Sequence, residues 1–106
     1  MRALGDFERA VLLAVVRIED GAYGVSIRRE LERMLQRDVS LGAVYTTLGR
    51  LQEKGLVISY SGDPTPQRGG RAKKFFKVES AGRKALDQAR RSAELLGALH
   101  PARGTK

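Results

Sequence analysis

The chain has no cysteine and no tryptophan, a single histidine and three prolines in 106 residues. Without cysteine there is no disulfide framework, no thiolate metal site and no cysteine nucleophile, and nothing indicates an oxidising compartment, so a cytoplasmic location is expected. The lone imidazole, His100, excludes a multi-histidine metal cluster and stands near the C-terminus beside Pro101, where a surface position is expected. Long apolar runs are missing as well. The longest, residues 10–16, has seven residues, against the roughly 20 that a membrane-spanning helix needs, so neither a membrane partner nor a targeting segment is expected. Acidic residues are in deficit: 12 Asp plus Glu face 20 Lys plus Arg, a net charge of +8. An excess of that size in a small chain points to a polyanionic partner, nucleic acid first. The adjacent acids Glu19 and Asp20 have no sign of enclosure and read as solvated carboxylates rather than an acid/base pair. No catalytic residue, metal ligand or cofactor-binding residue is identified, and an enzyme is not expected.

What is present suffices for one domain with a modest core, at 42% hydrophobic and 30% charged residues. A first helix is expected over residues 7–18, capped by Asp6, with Phe7, Val11, Ala14, Val15 and Ile18 on one face. Leu12, Leu13 and Val16 lie off that face, which suggests a second subunit as cover. A second helix over 23–35 turns Ile27, Leu31, Met34 and Leu35 inward and Arg28, Arg29 and Arg33 outward, with Arg33 read as solvated. Residues 36–39 form a short link, and Ser40 caps a third helix in which Leu41, Val44, Leu48 and Leu51 mark the core side. Ala43, Thr46, Thr47 and Arg50 then fall on the presented side, and Gly55 ends the helix in a left-handed cap. Strands are expected over 56–60 and 73–78, joined by a Gly- and Pro-rich loop. From Gly62 to Lys77 the chain carries Arg68, Arg71, Lys73, Lys74 and Lys77 against Asp63 alone, a net of +4 in one hairpin. A last helix, capped by Ser80 and running to about residue 99, spaces Leu86, Ala89, Ala93 and Leu96 along a seam.

Three helices followed by a basic hairpin is the element order of a winged helix-turn-helix. The expected fold is mainly α with a small β-hairpin: a winged helix-turn-helix DNA-binding domain over 1–79, a C-terminal dimerisation helix over 80–99 and a basic tail over 100–106. The expected partner is double-stranded DNA. Its contacts would come from Ser40, Ala43, Tyr45, Thr46, Thr47 and Arg50 on the third helix and from Arg68, Arg71 and Lys73 in the wing. Arg50 suits either a guanine edge or a phosphate, and Tyr45 either a phosphate contact or half-buried packing. Tyr23 reads as packing. The run Arg68-Gly69-Gly70-Arg71 is a single copy between strands and reads as wing rather than as an RNA-binding repeat. The competing reading is a winged-helix module that binds RNA or a protein partner through its wing. Because the last helix lacks aromatic anchors, its seam reads as self-association rather than membrane binding. Homodimerisation is expected through Leu12, Val16, Leu86, Ala89, Ala93 and Leu96.

Three stretches in this order, AYGVSI at 22–27, VSLGAVYTTLGRLQEKGL at 39–56 and GGRAKKFFKVESAG at 69–82, resemble the signature segments of PadR-like transcriptional regulators. The resemblance implies a winged-helix homodimer that binds an operator, usually as a repressor, with residues 41–54 as recognition helix and an added C-terminal helix completing the dimer. Phe75 and Phe76 stand where the family often has a tyrosine pair, Glu79 where it often has threonine, and Gln52 where glutamate is frequent. The resemblance also implies phenolic or drug-like effectors near the dimer interface. With six aromatic residues in all, the sequence itself points to no particular effector.

Overall fold

A computed structural model describes residues 4–62 and 73–99. The elements run α1 (Asp6–Ile18), α2 (Gly24–Leu35), α3 (Leu41–Glu53), β1 (Val57–Ser61), β2 (Lys74–Val78) and α4 (Ser80–Leu99). The expected loop tip with Arg68 and Arg71, and the tail with His100, lie outside the described residues.

The local chemistry of the helix ends sets these boundaries. The chain enters α1 through Gly5, whose N–H donates to the Glu8 carboxylate (2.9 Å). Asp6, the expected cap, is instead the first helical residue and pairs with Arg9. A side chain at the third helical position can take an otherwise unpaired N–H just before the helix, so no capping side chain is needed at Gly5. At α2 the cap position falls on Tyr23, and Ser26 Oγ accepts from its N–H (2.9 Å). α3 closes as expected with Gly55 at φ +75°. The Gly55 N–H donates to Gln52 O and the Leu56 N–H to Leu51 O, both at 2.9 Å, the paired bonds of a Schellman turn. That turn uses Leu56, so β1 starts at Val57 rather than at the expected residue 56. At α4, Ser80 is the first helical residue rather than the cap: the Arg83 N–H donates to Glu79 O (3.1 Å), and the Glu79 N–H is held by Leu56 O (2.9 Å).

β1 and β2 form an antiparallel pair with Val57 opposite Val78, Ser59 opposite Phe76 and Tyr60 opposite Phe75. The period of two turns Val57, Phe76 and Val78 inward and leaves Ile58, Tyr60 and Lys77 exposed. Ala22 and Tyr23 add one more rung: the Phe76 N–H donates to Ala22 O (2.8 Å), and Tyr23 bridges to Phe75. The core is built from Val11, Leu12, Ala14 and Val15 of α1, Ile27 and Leu31 of α2, Val44, Leu48 and Leu51 of α3, and the inward strand residues. α1 is the central element and touches α2, α3, β2 and α4. For Leu12 this corrects the expectation that another subunit covers the second side of α1. Leu12 is fully buried within its own chain, and Val16 packs partly buried against the same core. Leu12 therefore has no surface to offer a partner.

Candidate nucleic-acid interface

The turn between α2 and α3 is fixed by three side chains. Gln36 takes the left-handed conformation (φ 56°, ψ 42°) that ends α2, and its side-chain Nε2 donates to Arg33 O (2.7 Å); a non-glycine residue there is uncommon and needs such local compensation. Glu32 Oε2 accepts from the Val39 N–H (2.9 Å), closing the turn across seven residues. Ser40 Oγ then accepts from the Ala43 N–H (3.0 Å) and starts α3 as expected. Ser40 is thus a structural cap and also an exposed residue at the leading end of the helix.

On α3, Gly42, Ala43, Tyr45, Thr46 and Arg50 are exposed. Small side chains at 42, 43 and 46 let a helix backbone approach a groove closely, and Arg50 adds reach and charge. Arg50 forms no ion pair among the described residues. Thr47, expected on the presented side, is 5% exposed. It stands three residues after Val44 and four before Leu51, both buried, and the first turn of α1 covers its flank, so that Thr47 and Arg50 share an open cleft with Gly5, Phe7, Glu8 and Lys54. Tyr45 takes the half-buried packing that was one of its two expected readings. It is 45% exposed, yet its phenol lies so close over Gly24 that a Cβ there would overlap it. Gly24 is the condition for that helix contact.

The wing base is an aromatic stack. Tyr60 and Phe75 stack with centroids 5.6 Å apart, and Tyr23 meets Phe75 edge-on at 5.8 Å. Tyr23 is therefore packing, as expected. Lys73 is exposed, with Nζ 4.3 Å from the Tyr23 ring centroid, an arrangement that steadies a lysine without neutralising it. Lys74 and Lys77 are also exposed.

Several other charges are locally paired. Glu30 binds Arg33 and Arg17 (Arg17 Nε at 3.1 Å), and hydrogen bonding from Arg33, with the charges of both arginines, holds its carboxyl below the usual glutamate range. Arg33 is the expected solvated residue. On α4, hydrogen bonding from Arg90, with help from the Arg91 charge, holds Asp87 below the usual aspartate range. The expected seam on α4 divides in two. Leu86 packs against the protomer's own core, Ala89 is half-buried, and Ala93 and Leu96 are exposed, as is Leu95. Sequence reasoning missed Glu32, Gly24, Lys54 and Leu95. Leu95 alone had a local signal, a second leucine next to the seam. Among the described residues no helix is long and apolar enough to cross a membrane, and no group of three His, Cys, Asp or Glu is placed to hold a metal.

A capped helix-turn-helix followed by a two-stranded basic hairpin defines a winged-helix DNA-binding protein. Residues 12–88 match the family model of the transcriptional regulator PadR-like family, and the chain belongs to that family. It is similar to the transcriptional regulator Rv3488 of Mycobacterium tuberculosis, 38% identical over 80 residues that make up 74% of this chain and 68% of the relative. A PadR-like transcription factor from Bacteroides fragilis shares the fold with a TM-score of 0.71 at 21% identity, over 91% of this chain and 89% of that one. RosR of H. salinarum superposes with a TM-score of 0.65 at 26% identity, over 97% of this chain and 83% of that one. The protein is a DNA-binding transcriptional regulator and not an enzyme.

Proposed function

We propose that the protein represses transcription from the cytoplasmic chromosome by occupying an inverted-repeat operator as a homodimer. The supporting observation is the outer face of α3, where Ala43, Thr46 and Arg50 stand exposed on a helix whose leading turn is capped and clamped. Residues 1–79 are the DNA-binding unit in this reading, with α4 as the dimerisation helix and 100–106 as a tail. Thr46 and Arg50 face base edges, while Lys73, Arg68 and Arg71 contact phosphates, and Thr47 supports α3 from behind. The exposed Ala93, Leu95 and Leu96 are the part of α4 that a second copy covers. A dimer lying across promoter DNA blocks polymerase without further machinery, which favours repression.

Two-fold symmetry makes the operator a dyad, with half-site centres about 10 base pairs apart or a near multiple, since one duplex turn is roughly 34 Å. Selection from random duplex tests this, and an enriched motif without dyad symmetry would contradict it. Single-stranded RNA that competes as well as the selected duplex would favour an RNA-binding module instead. With the selected duplex in hand, Arg50→Ala is expected to cost about 1–3 kcal/mol on that site and little on random DNA. Lys73→Ala is expected to weaken every duplex alike and lower the salt slope by about one. Equal losses on both duplexes for Arg50→Ala would remove it from base reading.

A further inference from the structure

Glu8 and Lys54 are 46 positions apart, yet both carboxylate oxygens of Glu8 lie 2.9 Å from Lys54 Nζ. The pair is largely shielded, with side chains 13% and 25% exposed. Glu8 Oε1 also accepts from the Gly5 N–H at the entrance of α1, and Lys54 ends α3, its own N–H bonded to Arg50 O (3.0 Å). One carboxylate therefore joins the beginning of α1 to the end of α3, one turn beyond Arg50. Among the described residues this is the ion pair that reaches α3; the others lie on α1, α2 and α4. α3 is held at its start by Ser40 and Glu32, on one flank by Tyr45 against Gly24, and at its end by Glu8.

We propose that Glu8 is a positioning residue for DNA recognition: by holding Lys54 it fixes the axial place and roll of α3, and with them the point at which Thr46 and Arg50 are presented. A shielded, bidentate pair between two helices sets geometry more firmly than an exposed one, because neither side chain is free to follow solvent. The inference rests on the DNA-binding reading above and adds a residue that makes no DNA contact of its own.

Charge makes the test one of sign. Glu8→Gln keeps an acceptor for the Gly5 N–H but removes a negative charge, raising the net charge by one. If Glu8 acted only through the protein's electrostatic field, the variant would bind every duplex more tightly. If it positions α3, affinity for the selected duplex falls while affinity for a shuffled duplex of the same composition does not. The ratio of the two is expected to drop by roughly fivefold to tenfold, in the range of couplings between contacting residues. Binding is measured by fluorescence anisotropy at a temperature where circular dichroism shows both proteins folded. Lys54→Met should lower the ratio similarly, Lys54→Arg should keep it near the wild-type value by keeping the pair, and the double variant Glu8→Gln/Lys54→Met should be no worse than either single one. Lys54→Met and Lys54→Arg carry the test alone if Glu8→Gln does not fold. An unchanged ratio, a parallel rise on both duplexes, or strictly additive losses would overturn the proposal. A wild-type protein that does not distinguish the two duplexes would instead defeat the sequence-specific reading, and the proposal with it.

Discussion

Replacing Leu95 and Leu96 together by glutamate is expected to yield a folded monomer that has lost tight binding to a dyad duplex. The two leucines are 62% and 57% exposed in the protomer, and every described residue from 90 to 98 is exposed. The protomer's own fold therefore does not depend on them, and glutamate is itself a good helix former. Burial against a second copy is worth about 1.5–3 kcal/mol for each leucine side chain, and the two-fold axis doubles the count. Four glutamates brought together instead would place unpaired like charges in that contact. A monomer engages one half-site where a dimer engages two, so affinity for the dyad should fall by roughly 10²- to 10⁴-fold. The melting temperature measured at low concentration should barely move. Light scattering supplies the check: a monomeric wild type would contradict the dimer, and a variant that stays dimeric would contradict this interface. Leu86→Glu is the contrasting case. Because Leu86 packs against the protomer's core, that change should unfold the chain rather than separate two folded ones.

The contrast between Leu86 and Leu96 shows where the sequence was readable. The 3, 4, 3 spacing of the α4 seam identifies an apolar stripe, but nothing local tells which end of it the protomer itself uses. Signals contained within one turn were legible: the Ser40 cap, which needs only the Ala43 N–H three residues on, and the Gly55 termination. The β-branched and aromatic residues of 56–60 likewise announced a strand. Errors arose where a distant element decided the matter. Thr47 has a polar side chain, which suits the presented face, but tertiary packing leaves it 5% exposed. α1 is apolar nearly all round, which suggests a second subunit over Leu12, but the chain's own core takes Leu12 in completely. Glu8 and Lys54 carry no mutual signal across 46 positions. The overall fold was legible because it follows from local periodicity and element order. The candidate site was legible in kind, a basic wing and a small-residue helix, while the division of α3 into reading and supporting faces depended on tertiary packing.

The same dependence sets the sign of the last prediction, at Gly82. Alanine in place of a glycine within a helix ordinarily stabilises by about 0.5–1 kcal/mol, through the entropy of the unfolded chain and helix propensity. Gly82 lies in the first turn of α4 and is buried, and a Cβ there would overlap the Leu56 carbonyl oxygen and lie 2.7 Å from Val78 Cγ1. A side chain can swing aside, but this carbonyl is backbone in the Schellman turn after α3, and it already accepts the Glu79 N–H at 2.9 Å. Relieving the overlap means displacing α4 from the sheet or breaking that bond. Overpacking of this kind costs about 1–3 kcal/mol, more than the propensity gain, so Gly82→Ala should destabilise and Gly82→Val more strongly still. In a domain of this size, a net loss of 1–2 kcal/mol lowers the melting temperature by roughly 4–16 °C. Gly49→Ala is the matched control: it too is a helical glycine, and a Cβ there meets nothing within 4 Å. Its melting temperature should rise slightly. Thermal melts of the two variants followed by circular dichroism decide the matter, and a Gly82→Ala protein as stable as the wild type would show that α4 does not approach the Leu56 carbonyl this closely.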